Sequence, residues 1–394
     1  MPNPTGPTVL PTVTPNVAIK PRILFATGGS GGHISPALAI AEQLQAKGFR
    51  ISFIGYGGAF TQLITERGYT FIKIPAAQWN VRNPVRKLWA LLTLARAFLQ
   101  AFYVIYKDAP AVVVGGGGYA SVAAVLAAKV LGVPTAVHEQ NVIPGRANRF
   151  LFKWVDKILL SFEDTRQYAP VPSDRSVVTG NPVRDIIYTT AQQPEVDDGF
   201  YRLLVTGGSQ ATRLFSEVVP QALALLPVAV RQKLRVVHQA RAEDISRLKE
   251  TYLRADIVAE LKPFFTDLPQ QLHRCHVNIG RAGASTITEA IIMRRVQILI
   301  PGLFADGHQV YNARVLADRN AGVMIHEDLL TPALLAQHLE DLFTKPALRA
   351  SYQQQLATLV PPVRAAVMAA EVLAHMAQTD LMHLLEAQPD APAR

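Results

Sequence analysis

Cysteine is almost missing from this chain of 394 residues. The single cysteine, Cys275, excludes an internal disulfide and suits a reducing compartment. His and Cys residues nowhere recur with the spacing of a structural zinc site, so we expect no bound metal and no cofactor. Aromatic and basic residues are not interleaved on any obvious platform, which argues against nucleic-acid binding.

Residues 1–20 lack the apolar core of a signal peptide. They are rich in Pro and Thr, and we interpret them as a disordered leader with no catalytic part. Hydrophobic residues make up 49% of the chain, enough for sizeable cores, and the length predicts two domains of ordinary size. A Gly-Asn-Pro turn signal within residues 179–184 favours a domain boundary there.

Acidic residues are scarce in the first half of the chain, which makes the formal net charge of +9 uneven. Residues 1–190 hold 19 Lys and Arg against 9 Asp and Glu, whereas the remainder holds 20 against 21. A basic half beside a neutral half predicts a surface that faces an anionic partner, either membrane lipid or nucleic acid. Ordinary solvated charge on an enzyme is the alternative.

Glycine is concentrated in residues 26–44, ATGGSGGHISPALAIAEQL. The apolar run 21–25 predicts a buried parallel strand before it, and the spacing of residues 36–44 predicts a helix after it. The glycines of this turn are Gly28, Gly29, Gly31 and Gly32. Their backbone amides can approach an anionic group closely. His33 lies at the mouth of the turn, where an imidazole could take or hold a proton.

The rest of the first half alternates strands with helices. Strands are predicted at residues 50–55, 70–74, 111–114 and 134–137. A second glycine run follows the third of them, comprising Gly115, Gly116, Gly117 and Gly118, before Tyr119. The rhythm predicts a parallel, doubly wound sheet with ligands outside the carboxyl ends of its strands. Both glycine turns should therefore line the same crevice.

Charge is also scarce in residues 88–106, LWALLTLARAFLQAFYVIY, which are long enough to raise a transmembrane helix. Arg96 near mid-span, within a narrow polar stripe, would be costly in lipid. We therefore predict a buried or half-buried helix. Its broad apolar remainder, preceded by Arg82, Arg86 and Lys87, also suits a helix that rests on an anionic bilayer surface.

The second half repeats this architecture. A strand at residues 201–206 leads into the turn Gly207-Gly208-Ser209-Gln210 and a helix, and further strands are predicted at 234–238, 277–279 and 297–300. The turn at 280–286 precedes a helix that carries Glu289. The repetition predicts an α/β protein with two Rossmann-like domains that face a cleft.

Seven motifs occur in order between residues 21 and 342: GGSGGHISPALAIA, GGGYAS, HEQNVIPGRANRFL, VTGNPVRDII, VTGGSQATRLFSEVVPQAL, RAGASTITEA and DGHQVYNARVLADRNAG. Together they closely resemble the MurG family, within glycosyltransferase family 28. The resemblance implies a GT-B fold and inverting transfer of N-acetylglucosamine from UDP-N-acetylglucosamine to lipid I, undecaprenyl-diphospho-N-acetylmuramoyl-pentapeptide. The product would be lipid II, in peptidoglycan synthesis. The absence of a convincing Asp-x-Asp motif agrees with metal-independent donor binding in this fold.

The resemblance also implies an organisation and a location. Residues 21–183 would form an acceptor- and membrane-facing domain, and residues 184–360 a UDP-sugar-binding domain. Residues 361–394 would form a helix that crosses back to the first domain, followed by a frayed tail. The protein would be peripheral on the cytoplasmic face of the cell membrane, with the anionic inner-membrane surface and other cell-wall enzymes as candidate partners.

Donor binding is assigned by the resemblance. Glu289 would hold the ribose hydroxyls of UDP, although a carboxylate at the beginning of a helix also suits the helix dipole. Ser209 would bind a phosphate or, alternatively, cap a helix, and Phe265 would lie against the uracil or in the core. Gln309 would contact the transferred sugar. The remaining donor-site residues are Ser30, Gly31, Gly32, Asn141, Arg184, Ala284, Ser285, Thr286, Ile287, Thr288 and His308.

Inversion needs in-line attack by the acceptor's C4 hydroxyl on the anomeric carbon, with a base for its proton and stabilisation of the departing UDP. His33 is the first candidate base because imidazole titrates near neutral pH. Alternatively, His33 only orients the donor or the acceptor diphosphate. Glu139 is the second candidate base. The resemblance assigns acceptor binding to Gly28, Gly29, Gly115, Gly116, Gly117, Gly118 and Tyr119.

The sequence departs from the family's pattern in places. Ser30 replaces the usual threonine, Ala211 and Thr212 stand where the family favours Gly-Ala, and residues 77–84 lack the family's glycine-rich loop. Two other functions stay open: a GT-B glycolipid synthase with a diacylglycerol acceptor, and a UDP-sugar-binding protein that no longer transfers. The HEQN and GNPVR motifs argue against the first, and the altered turns suggest the second.

Overall fold

The computed structural model describes residues 21–28, 31–58, 61–77, 83–195, 198–208, 211–303 and 307–386. Within them the chain forms two parallel β-sheets, each with helices packed on its faces. The predicted leader at residues 1–20, the frayed tail and most of the loop at residues 77–84 lie outside the described residues, so those predictions stay untested.

The elements of the first domain are β1 (Arg22–Thr27), α1 (Gly31–Ala46), β2 (Arg50–Gly55), α2 (Gln62–Glu66), β3 (Thr70–Lys73), α3 (Pro84–Asp108), β4 (Val112–Gly115), α4 (Tyr119–Val130), β5 (Thr135–Glu139), α5 (Arg146–Leu151), β6 (Lys157–Leu160), α6 (Thr165–Tyr168) and β7 (Ser176–Val178). Those of the second domain are α7 (Asp185–Ala191), β8 (Tyr201–Thr206), α8 (Arg213–Ala224), α9 (Val228–Gln232), β9 (Leu234–Gln239), α10 (Ile245–Arg254), β10 (Val258–Lys262), α11 (Leu268–Arg274), β11 (Val277–Gly280), α12 (Ala284–Met293), β12 (Val296–Leu299), α13 (His308–Ala317), β13 (Val323–Met324), α14 (Pro332–Thr344) and α15 (Pro346–Leu359). The last helix is α16 (Ala365–Glu386).

Both sheets are wound in two directions from a central strand. The first has seven strands in the order β3-β2-β1-β4-β5-β6-β7, and the second has six in the order β10-β9-β8-β11-β12-β13. The winding reverses between β1 and β4 and again between β8 and β11. In open parallel sheets such a switch point leaves a crevice at the carboxyl ends of the two strands. The predicted α/β class with two doubly wound domains is confirmed.

Strand β1 shows why the sheet needs helices on both faces. Ile23 and Phe25 pack with residues of α1 and α16, whereas Leu24 and Ala26 pack with residues of α3 and α4. Successive side chains of a strand point to opposite faces, so each face of β1 requires its own cover. A strand buried on both faces is apolar throughout, which explains why this segment shows no alternation of polar and apolar residues.

Four strands of the structure were not predicted, namely β6, β7, β10 and β13. Strands β7 and β13 have three and two residues, too few to show a period. Strand β10 lies at the sheet edge, and its side chains are exposed or half-buried, so its sequence VAELK is only partly apolar. The four-residue run of β6 is apolar at three positions, but a run that short cannot be assigned to strand or helix by periodicity.

Helix α1 begins at Gly31 and not at the predicted Pro36. Proline favours the first helical position and glycine disfavours helix interiors, so intrinsic preferences argued for the later start. Tertiary packing overrides them, because Ile34 is fully buried in the core between α1 and the sheet. The residues before Pro36 are therefore the first turn of a helix and not a loop.

Helix α3 is buried along one side only, which agrees with the half-buried alternative that the sequence predicted. Its buried stripe consists mainly of small residues, such as Ala90, Ala97 and Ala101. Large apolar residues on its other sides are exposed, including Trp89 at 66% and Leu92 at 63%. By length and composition alone the helix could cross a membrane. Hydrophobicity did not reveal its orientation, because an apolar face toward lipid and one toward a core look alike in sequence.

Helix α16 follows the second domain in sequence but packs on the first. Ala369, Ala370, Leu373 and Ala377 are buried in the same cluster as Ile34 of α1. At the surface, Lys47 Nζ lies 2.5 Å from Glu371 Oε1. The chain therefore passes between the domains twice.

The two domains also meet directly at the floor of the cleft. The Asn312 carboxamide on α13 accepts from the Val142 amide at 3.0 Å and donates to Asn141 Oδ1 at 3.1 Å. Arg319, beyond the end of α13, donates to both carboxylate oxygens of Asp164 at 3.0 Å. Val142 is buried among apolar residues of the second domain. These contacts fix the position of one domain, and hence of its crevice, relative to the other.

Truncation of Leu373 to alanine should lower the free energy of unfolding by about 2–5 kcal/mol, because a fully buried side chain leaves a cavity beneath α16. Leu253→Ala is the matched control: Leu253 is 78% exposed, and its truncation should change that energy by less than about 0.5 kcal/mol. Urea denaturation of the full chain, followed by circular dichroism, measures both. Equal denaturation midpoints would contradict the packing of α16 on the first domain.

Candidate active site

The two glycine turns of the first domain touch each other at the β1–β4 switch point. The Gly28 amide donates to the Gly117 carbonyl at 3.0 Å. Gly117 and Gly118 have φ angles of 103° and 82°, in the region that disfavours side chains. A Cβ at Gly117 would lie 2.8 Å from ring atoms of His33. The turns therefore form the single crevice predicted from the sequence, with the His33 ring against bare backbone.

The first turn of α1 lies beside this crevice. The N–H groups of the first four residues of a helix have no partner inside it, and the helix dipole adds partial positive charge. Gly31 and Gly32 lie in this turn. Gly115 ends β4, Gly116 follows it, and Tyr119 begins α4. Gly29 and Ser30 lie outside the described residues, so their roles stay predictions.

His33 connects this turn to the strand beside it. Its Nδ1 lies 3.2 Å from Gln140 Oε1. Burial lowers the pKa of His33, whereas its hydrogen bonds with Gln140 and the Gly116 backbone raise it, and nearby His308 lowers it further. The net lowering gives a neutral imidazole at neutral pH, which can accept a proton. His308 begins α13, so this electrostatic contact joins the two sides of the cleft.

Glu139, the second candidate base, is enclosed by donors. It is 1% exposed and accepts from the Asn141 amide at 2.9 Å, the Gly145 amide at 3.1 Å and Asn148 Nδ2 at 2.9 Å. Burial raises the pKa of Glu139, and these hydrogen bonds oppose that rise. A carboxylate with both oxygens engaged is suited to shaping the loop after β5. The geometry therefore favours His33 as the base.

Asn141 was predicted to bind the donor, and that role stays a prediction; its side chain also contacts the second domain. Its Oδ1 accepts from Asn312, and its Nδ2 lies 3.4 Å from Glu139 Oε1. The structure thus places the Asn141 carboxamide in the contact between the domains. Asn312, which the sequence analysis did not select, also donates to the Ala282 carbonyl at 3.1 Å.

The second domain has a cavity of about 190 Å³ at the carboxyl ends of β8 and β9. Its lining includes Thr206, Gly208, Gln239, Phe265, Arg281 and Thr286. Phe265 is 5% exposed, so it belongs both to the cavity wall and to the packed interior. Ser209 follows Gly208 in sequence but lies outside the described residues.

Arg281 and Gln239 in this lining were given no role by the sequence analysis. Arg281 donates to the Ile300 carbonyl at 3.0 Å and forms an ion pair with Glu327 at 2.5 Å. Gln239 Nε2 donates to the Pro263 carbonyl at 3.3 Å. Arg281 stands inside the quoted motif RAGASTITEA, so a basic residue beside a glycine turn was the signal available for it.

Helix α12 begins at the β8–β11 switch point. Gly283 is its N-cap, and Ala284, Ser285 and Thr286 form the open first turn. The Ile287 amide instead donates to the Gly283 carbonyl at 3.0 Å, and the Ile287 side chain is fully buried. The Thr288 hydroxyl donates to the Ala284 carbonyl at 3.0 Å. The predicted diphosphate site on residues 284–288 therefore narrows to the first three amides.

Glu289 lies in the second turn of α12 and does not begin the helix, so the dipole explanation for this carboxylate fails. Its side chain is half-buried. Burial raises the pKa of Glu289 to about 7, and the positive charge of Arg184 opposes that shift. Arg184 is exposed and precedes α7. The structure thus brings together two residues that are far apart in sequence.

Gln309 lies in the first turn of α13, in the second domain. It is 9% exposed, and its Oε1 accepts from the Gly302 amide at 2.9 Å. That contact holds the carboxamide in a fixed orientation after β12. His308, the preceding residue, begins the helix and approaches His33 from the opposite domain.

Comparisons with known proteins agree with this geometry. The glycosyltransferase family 28 N-terminal domain matches residues 23–160, and the corresponding C-terminal domain matches residues 202–361. A UDP-N-acetylglucosamine--N-acetylmuramyl-(pentapeptide) pyrophosphoryl-undecaprenol N-acetylglucosamine transferase from Paramagnetospirillum magneticum is 40% identical over 337 residues, which cover 83% of this chain and 89% of the relative. The transferase of the same name from Rhodospirillum rubrum is 42% identical over 338 residues, covering 82% and 84%.

Solved structures give the same result. The crystal structure of Acinetobacter baumannii MurG is similar with a TM-score of 0.73 and 26% identity, covering 92% of this chain and 99% of that one. A kitacinnamycin glycosyltransferase, at 16% identity and a TM-score of 0.67, shares the fold alone.

Two Rossmann-like domains with glycine turns and helix N-termini on facing sides of a cleft define the GT-B architecture, and the two family matches place the chain among the glycosyltransferases of that architecture. Within that class, the chain belongs to glycosyltransferase family 28 and to its MurG group.

Proposed function

We propose that this protein transfers N-acetylglucosamine from UDP-N-acetylglucosamine to lipid I and so forms lipid II of peptidoglycan. The observation that carries the proposal is the identity of 40–42% to transferases of that name over more than four fifths of the chain. The facing crevices support it, because each has open amide donors for one of the two diphosphates.

The donor occupies the second domain in this proposal. The cavity beside Phe265 receives the uracil, and Glu289 accepts hydrogen bonds from the ribose hydroxyls. The first amides of α12 bind the diphosphate. Arg184 adds a positive charge on the Glu289 side of the site, where it stabilises the departing UDP electrostatically.

The acceptor occupies the first domain, against the glycine turns and the first turn of α1. There its diphosphate accepts from backbone amides, and its C4 hydroxyl lies toward the cleft. His33 takes the proton of that hydroxyl as the oxygen attacks the anomeric carbon from the face opposite UDP, which inverts the configuration. The lowered pKa of His33 supports this role, because the imidazole is already neutral at physiological pH.

Turnover of UDP-N-acetylglucosamine with a soluble lipid I analogue tests the function directly. Release of UDP with the analogue and not with diacylglycerol is expected. Release only with diacylglycerol would favour a glycolipid synthase, and tight donor binding without release would favour a binding protein. In the same assay His33→Ala should lower kcat at least ~100-fold, the usual effect of losing a general base, with the Kd for UDP nearly unchanged. A loss below tenfold would reject His33 as the base.

The affinity for UDP should rise with pH between pH 6 and 8. Because the pKa of Glu289 is about 7, the carboxylate that accepts the ribose hydroxyls is mostly protonated at pH 6 and mostly ionised at pH 8. If only the ionised form binds, the affinity rises about tenfold over this range. Calorimetry on the wild type and on Glu289→Gln measures this.

UDP itself also titrates in this range, but its titration affects the wild type and Glu289→Gln equally. The ratio of their two dissociation constants for UDP at each pH therefore reports the titration of Glu289 alone. That ratio should change by about tenfold, since the glutamine side chain does not titrate. A constant ratio across the range would show that the Glu289 carboxylate does not bind the ribose.

We further infer that the first domain rests on the cytoplasmic face of the cell membrane. The exposed apolar side of α3 includes Leu88 and Leu92, with Arg86 and Lys87 exposed at its beginning. The helix stays attached to the sheet through its alanine stripe, which suits a helix in the plane of the interface better than a spanning one. The donor is a cytoplasmic nucleotide sugar, which sets the side. Other cell-wall enzymes are further candidate partners in this proposal.

The double substitution Leu88→Ser/Leu92→Ser should reduce binding to vesicles of anionic phospholipid by roughly tenfold or more, because two large apolar side chains no longer enter the interface. The matched control is Leu225→Ser/Leu253→Ser in the second domain, where the two leucines are 60% and 78% exposed, against 60% and 63% for Leu88 and Leu92. Co-sedimentation measures both variants. Equal loss in both, or none in the first, would contradict a membrane role for α3.

A further inference from the structure

A chain of buried polar side chains runs from His33 away from the cleft. It passes from His33 to Gln140, His138, Ser161 and Asn181, and each neighbouring pair lies within 3.5 Å. The last four are between 2% and 6% exposed. Buried polar groups in such a chain constrain one another, because each donor needs an acceptor.

The orientation of the Gln140 carboxamide is set by two backbone carbonyls. Its Nε2 lies 3.1 Å from the Gly116 oxygen and 3.2 Å from the His138 oxygen. Carbonyl oxygens only accept, so the amide NH₂ must face them. The opposite end, Oε1, then faces His33 Nδ1 at 3.2 Å.

This orientation decides where His33 carries its proton. A carboxamide oxygen only accepts, so the facing Nδ1 must be the N–H donor. The neutral ring then has its lone pair on Nε2. An imidazole without such a partner is free to hold its proton on either nitrogen, and the hydrogen bond to one nitrogen selects the state of the other.

His138 supports the same arrangement from behind. Its Nδ1 lies 3.0 Å from Gln140 Nε2. The amide has two hydrogens for three acceptors, so one is shared between the His138 carbonyl and His138 Nδ1. The His138 proton is then on Nε2, 3.3 Å from Ser161 Oγ. Ser161 in turn donates to Asn181 Oδ1 at 3.5 Å. Burial lowers the pKa of His138 to about 4, which keeps its Nδ1 available as an acceptor.

We propose that Gln140 is a positioning residue, which holds His33 in the Nδ1–H tautomer and presents Nε2 as the atom that takes the acceptor's proton. The proposal rests on His33 being the base of the proposed function. Gln140 itself touches neither the reacting atoms nor the transferred sugar in this scheme. It acts through His33.

The direct test is ¹⁵N NMR of the full-length protein labelled at histidine, at pH 8, with His33→Ala used to assign the His33 signals. The wild type should show a protonated-type Nδ1 and an unprotonated-type Nε2. This measurement needs no variant of Gln140 that must fold. An Nε2–H signature for His33 would overturn the proposal.

Two variants of Gln140 distinguish a role in selecting the His33 tautomer from a merely structural role. Gln140→Leu removes the acceptor, so the two His33 nitrogen signals should move toward each other and kcat should fall by about 10–100-fold, as for other residues that orient a catalytic group through a hydrogen bond. Gln140→Glu keeps an oxygen toward Nδ1 and should retain the wild-type tautomer, although kcat should fall because its second oxygen meets the two backbone carbonyls. An unchanged His33 signature in Gln140→Leu would overturn the proposal.

Gln297→Leu is the matched control. Gln297 is also fully buried, and it accepts from Asn278 at 2.6 Å and donates to the Arg295 carbonyl at 3.0 Å. Its replacement imposes a comparable loss of buried hydrogen bonds but should leave the His33 signature intact. A tautomer change in this control as well would show a general loss of structure and overturn the specific role of Gln140.

The outcomes also separate this inference from the proposed function. If His33 shows an Nδ1–H signature that depends on Gln140 but His33→Ala keeps full turnover, then Gln140 selects the tautomer and His33 is not the general base. If His33 shows an Nε2–H signature and His33→Ala is inactive, then His33 is the general base and Gln140 does not select its tautomer.

Discussion

The close approach of two glycine turns is the constraint on which the first-domain site depends. Gly28 donates to Gly117 across the β1–β4 switch point, and the His33 ring lies against Gly117 where any side chain would collide with it. Parallel winding brings two strand ends together at one point, and glycine lets their backbones touch. The position of the first turn of α1 and the place of the His33 ring both depend on this contact.

Burial does the electrostatic work on both sides of the cleft. It lowers the pKa of His33, which favours the neutral imidazole, and raises the pKa of Glu289 to about 7, where small changes of environment alter its charge. It raises the pKa of Glu139 too, but there several donors oppose the effect, and the carboxylate orders a loop. Residues of similar chemistry thus differ in role because their hydrogen-bond partners differ.

Much of the fold followed from local pattern. The apolar runs within β1 and β8 are continuous, and the glycine turns after β1, β4 and β8 mark where each strand must turn toward its helix. Pattern failed where the signal was short, as at β7 and β13, or where it depended on surroundings, as in the early start of α1. It also did not tell which large apolar residues of the half-buried helix α3 are exposed. Apolar residues toward lipid and toward a core are chemically alike.

The amino-acid sequence by itself determined the two-domain α/β architecture, the glycine turns and the chemical types available to the site, because periodicity and turn chemistry are local properties. Only the tertiary structure decided which groups remain free to act. It engaged Asn141 with Asn312, enclosed Glu139 among donors, moved Glu289 into the second turn of α12 and set Gln140 against His33. Those assignments depend on distances between segments far apart in the chain, which no local pattern encodes.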